Sequence, residues 1–73
     1  MKQLWFLSVF FAVLAVAYKI RGSAWHHKGD YDRAIADFNE AIRLDPKLAV
    51  AYYNRGSAWK HKSDYDRAIA DFN

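Results

Sequence analysis

"AVAYKIRGSAWHHKGDYDRAIADFN", residues 15–39, returns as "AVAYYNRGSAWKHKSDYDRAIADFN", residues 49–73. Of the 25 aligned pairs only four differ: Lys19/Tyr53, Ile20/Asn54, His26/Lys60 and Gly29/Ser63. That identity at an offset of 34 residues marks one structural unit used twice, and 34 is a helix–turn–helix repeat length.

The spacing inside the unit predicts two helices. Tyr18, Gly22 and Trp25 recur at steps of four and three, on one side of a first helix. Gly29 stands where that helix should end, because glycine reaches the left-handed backbone region that other residues resist. Asp30 then reads as the N-cap of a second helix, with Asp32 in its first turn near the positive end of the dipole. Ala34, Ile35, Phe38, Ala41 and Ile42 form its apolar stripe. Arg33, Asp37, Glu40 and Arg43 fall on the wet side, pairing as Arg33–Asp37 and Glu40–Arg43 for roughly 0.3 kcal/mol each. Asp45-Pro46 ends the helix, since proline disfavours helical geometry in the residue before it. "KLAVAYYNRGSAWKHK" starts the cycle again. The expected fold is all-α: antiparallel helix–turn–helix repeats stacked as a short, incomplete superhelical solenoid.

These segments resemble tetratricopeptide repeats, above all the versions rich in "DYDRAIADFNEAIRLDP". Tyr18, Gly22, Trp25, Ala34, Phe38, Ala41 and Pro46 match the family pattern in the first unit, and Tyr52, Gly56, Trp59, Ala68 and Phe72 match it in the second. Glycine and alanine let two helices approach while the aromatics fill the gaps. The chain departs from the pattern in three places. Arg21 and Arg55 stand where the family has an aliphatic residue, so their stems are expected to cover that surface with the guanidinium in water. Ser63 replaces Gly29 at a turn. The second unit stops at Asn73, before the equivalents of Ala41, Ile42 and Pro46. Such an array is expected to be marginal alone, calling for a partner, self-association or a missing remainder of the chain.

Residues 1–17 have the three parts of a secretory signal: Lys2, the apolar run "LWFLSVFFAVLAVA" at 4–17, and small residues at Ala15 and Ala17 before a cut at Tyr18. The alternatives are an uncleaved signal anchor over residues 4–20 and a buried core helix. From Leu4 to Tyr18 a helix spans about 22 Å, short of a bilayer core of roughly 30 Å. Cleavage after Ala17 would spare Tyr18 and remove only positions expected to fray; without it, leader and first helix join. The division is then 1–17 leader, 18–48 first repeat and 49–73 second, truncated repeat.

Composition narrows the function. Seventy-three residues allow one small domain, and without cysteine neither a disulfide nor a thiolate metal site can staple it. The net charge of +3 is spread in alternating signs, the pattern of a solvated helical surface and not of a nucleic-acid binder. No phosphate loop, GxSxG or HExxH is present, and Ser23 and Ser57 have no strained turn to activate them. A non-enzymatic chain with no cofactor and no metal is expected. His26 and His27 are poor joint ligands, being about 100° apart on a helix; the repeat equivalents His27 and His61 share a groove in this reading, as solvated helix-end histidines.

The family resemblance implies that first helices line a concave groove for a partner's peptide or helix. By position the groove comprises Lys19, Ser23, His26 and His27 from one unit, with Val50, Tyr53, Ser57, Lys60 and His61 from the other. That face holds Lys, His and Tyr and no carboxylate, so it favours an acidic partner. The resulting reading is an exported adaptor, periplasmic or secreted, that touches a membrane only if the leader is retained. The alternative is a truncated or fusion-derived structural fragment, membrane-tethered, without a binding role of its own.

Overall fold

The computed structural model describes residues 2–73, with side chains from Phe6 onward. Four helices follow one another: α1 (Lys2–His27), α2 (Tyr31–Leu44), α3 (Ala49–His61) and α4 (Tyr65–Phe72). Each packs on the next in sequence, and α1 also touches α3 across the first hairpin. This is the all-α stacked helix–turn–helix architecture that the repeat demands. Residues 2–17 and the first helix of the repeat form one continuous helix.

The turns show why the helices stop where they do. After α1, the Asp30 N–H donates to Trp25 O at 2.9 Å and the Gly29 N–H to His26 O at 3.0 Å, a Schellman closure with Gly29 at φ 81°. The second unit repeats it: Asp64 to Trp59 O and Ser63 to Lys60 O, both at 2.9 Å, with Ser63 forced to φ 66°. Asp30 and Asp64 then cap α2 and α4, accepting from the Arg33 and Arg67 N–H groups at 3.2 Å. Because Ser63 occupies a left-handed site, Ser63→Gly is expected to raise stability by about 1 kcal/mol and Gly29→Ser to lower it similarly, as read by urea unfolding.

The core is built mostly of small residues. Ala15, Ala34, Ile35, Ala41, Ala51, Ala58 and Ala68 are buried, and Phe38 is the largest fully buried side chain. Gly22 makes this possible. A Cβ there would stand 2.6 Å from Phe38 Cε1 and 3.2 Å from the Ala34 carbonyl oxygen. The Trp25 and Trp59 rings each lie under an arginine from the next helix, Arg33 at 4.7 Å and Arg67 at 4.6 Å respectively.

Three expectations are corrected. Asp37 is not on the wet side: it is buried in α2 and accepts a bidentate pair from Arg21 Nε and Nη2, both at 2.8 Å. The Arg21 and Arg55 guanidinium groups therefore meet carboxylates. Arg55 donates to Asp71 at 2.9 Å through Nε and to Asn39 at 2.9 Å through Nη1, tying three helices together. Arg33, lacking Asp37, pairs with Asp30 at 3.3 Å; Glu40–Arg43 forms as expected. Third, Ala15 is fully buried, so cleavage after Ala17 would remove a core alanine and not a frayed end.

Before Ala15 the helix is different. Phe6, Leu7, Phe10 and Val13 are exposed, which excludes the buried-core reading for this stretch. Phe6–His27 is long and apolar enough to cross a membrane by length and composition, a test that a signal sequence also passes.

Candidate partner-binding groove

The first helices of the two units, α1 and α3, flank a small cavity of about 180 Å³ with Phe38 of α2 also in its lining. Ser23, His26 and His27 come from α1, and Asn54 and Ser57 from α3. Asn54 Nδ2 reaches across to Ser23 Oγ at 3.5 Å, a weak bond that leaves both groups capacity for another partner. No carboxylate lines the cavity.

Repetition of sequence gives repetition of side-chain setting. His27 Nδ1 lies 2.8 Å from Ser23 O, and His61 Nδ1 lies 3.1 Å from Ser57 O, one turn back on each helix. A carbonyl only accepts, so Nδ1 carries the proton in both rings and Nε2 is the acceptor in the neutral form.

The histidine brought against His61 is His26, not His27. Its ring centroid is 5.0 Å from that of His61 and 5.2 Å from that of Tyr31, with Tyr31 and His61 also 5.0 Å apart. His26 is accordingly no solvated helix-end residue, since its Nε2 is buried with no hydrogen-bond partner. Burial, followed by the neighbouring His61 and His27, lowers its pKa below the ordinary value near 6.5. The folded chain thus holds His26 neutral where the unfolded chain takes up a proton. Its contribution is present above about pH 6.5 and is lost as pH falls below that value toward the folded pKa. His26→Gln should flatten the loss of stability between pH 7 and 5 seen by urea unfolding; an unchanged slope would place the sensitivity elsewhere.

Of the nine residues assigned to the groove, Ser23, His26, His27 and Ser57 line this cavity, and His61 adjoins it through His26. Lys19, Val50 and Lys60 do not line it, though Lys19 and Lys60 sit on the same two helices. Tyr53 turns toward the far end, 5.6 Å from the Phe72 ring, and lines a second, more open cavity of about 600 Å³ with Ala49, Tyr52 and Phe72. Two lining residues were not in the predicted set. Asn54 is one of only four positions at which the repeats differ, which was its signal in the sequence. Phe38 belonged to the stripe of the second helix, and nothing local marks a stripe residue as lining a groove. Among the described residues no three His, Cys, Asp or Glu side chains are grouped to hold a metal.

The family model described as TPR repeat matches residues 22–62, more than half of the chain and the whole of the α1–α3 turn region around this cavity. The chain belongs to the TPR repeat family, whose members serve as protein–protein interaction modules. No curated relative matches it.

Proposed function

We propose that the chain is an exported adaptor that binds an acidic segment of a partner protein along the trough between α1 and α3. The observation that carries this reading is the cavity itself, lined by hydroxyl, amide and imidazole groups from consecutive repeats and by no carboxylate. Three of the acids are engaged elsewhere: Asp37 with Arg21, Asp71 with Arg55, Asp32 with Lys62. Lys19 and Lys60 enter no ion pair among the described residues and are left to attract a negative partner. Fluorescence anisotropy with an acidic peptide, against a neutral peptide of equal length, tests the idea. Lys19→Ala, Asn54→Ala and Lys60→Ala combined should weaken the acidic peptide at least tenfold, and added salt should weaken wild type. Equal binding of both peptides, or of wild type and variant, would overturn it.

Export rests on the apolar first half of α1, exposed from Phe6 to Val13 and suited to the apolar core of a signal. One observation favours a second reading, a retained anchor holding the repeats at a membrane surface: Ala15 is part of the core, so the helix is of one piece across the cleavage site. N-terminal sequencing of the chain recovered from cells separates the two, as a start at Tyr18 means a cut signal and a start at Met1 an anchor.

A further inference from the structure

Residues 30–39 and 64–73 are identical, "DYDRAIADFN", yet among the described residues α2 has a helix on its far side and α4 has none. Ile35 is 6% exposed, whereas its equivalent Ile69 is 57% exposed. The opposite end of the chain carries the matching half. Residues 15–27 of α1 repeat α3 with three changes, and their outer side is open: the Arg21 side chain is 63% exposed, against 22% for Arg55.

Three contacts that join α3 and its C-cap to α2 have unmade counterparts at the two ends. Arg55 donates to Asn39; the equivalents are Arg21 and Asn73. Lys62 pairs with Asp32; the equivalents are Lys28 and Asp66, neither of which enters an ion pair among the described residues. The His61 ring packs on Tyr31; the equivalents are His27 and Tyr65.

We propose that a second copy of this chain docks head to tail, the 15–28 segment of its α1 lying on α4 as α3 lies on α2. The surfaces fit because they are the surfaces of an interface already made once within the chain, with Lys28 opposite Asp66 and exposed Ile69 covered. Two contacts change: Asn54, which reaches Ser23, is replaced at the junction by Ile20, itself exposed in the single chain and covered on docking, and the His26–His61 ring contact is replaced by Lys60 facing the incoming His27. The contact is heterologous, so copies add in series.

Sedimentation velocity of the full chain over a range of concentrations tests this, in a mild non-ionic detergent that solvates Phe6–Val13. Mass is expected to rise with concentration. Ile69→Glu, Lys28→Asp and Asp66→Lys should each weaken association at least tenfold with unchanged circular dichroism, since all three side chains are exposed. An equimolar mixture of the two charge variants should associate again, because every junction between unlike copies then sets opposite charges face to face at positions 28 and 66. A wild-type chain that stays monomeric, association that survives Ile69→Glu (contact through the leader), or a mixture no tighter than its components would overturn the proposal. None of the three residues lines the cavity, so peptide binding by Ile69→Glu reports on the groove independently.

Discussion

Gly22→Leu is expected to cost about 3 kcal/mol or more and to abolish cooperative unfolding of the repeats. Phe38 is fully buried and cannot swing out to solvent, and the Ala34 carbonyl on the same side is backbone. Gly56 is the repeat equivalent, and from sequence its replacement by leucine looks equally severe. The structure separates them. A Cβ at Gly56 would meet Phe72 Cε1 at 2.7 Å, but Phe72 is 47% exposed and can swing outward, leaving only the Asp71 Cβ at 3.1 Å to give way. Gly56→Leu should therefore cost nearer 1 kcal/mol. Alanine sharpens the contrast, because it restores about 1 kcal/mol of helix propensity at either site. Gly56→Ala should be close to neutral, while Gly22→Ala remains destabilising. Paired urea melts of the four variants decide it; equal losses at the two glycines would mean that Phe38 and Phe72 are held alike.

That difference shows what a sequence of near-identical copies can and cannot convey. Helix positions, the left-handed turn at Gly29 and Ser63 and the capping aspartates were legible because each depends on residues within one or two turns. The identity of the repeats also conveyed the stacking. What it could not convey is where copies cease to be equivalent. Ala15 and Ala49 are the same letter, yet one is buried and the other exposed; Ile35 and Ile69 behave likewise. The Arg21–Asp37 pair was hidden for another reason. Asp37 lies four residues from Arg33, so local spacing offers a helix-surface partner, and the bond across the hairpin is visible only once Gly22 has brought α1 against α2. In the groove, Ser23, His26 and Ser57, assigned there by helix position, line the cavity between α1 and α3. It could not say whether His26 or His27 turns to meet His61, since the rotation of α1 is fixed by packing on α2.

The Arg21–Asp37 pair yields the other large effect, and an asymmetric one. Arg21→Met keeps an apolar cover over Asp37 but removes both of its bonds, stranding a carboxylate whose side chain is 8% exposed in the middle of α2. Removing one partner of a fully buried pair costs roughly 3–5 kcal/mol. Here the arginine is 63% exposed and the pair is half in water, so about 2 kcal/mol is expected. Asp37→Leu should be milder, under about 1 kcal/mol, because the arginine it strands can turn to solvent and stack on Tyr18, already 5.3 Å from its guanidinium carbon. Joined in one chain, the two changes should recover most of the loss, since neither then leaves a buried group without a partner. A double-mutant cycle by urea unfolding measures all three. If Asp37→Leu proves as costly as Arg21→Met, the carboxylate is not the group that suffers, and the bridge acts by holding α1 and α2 in register instead.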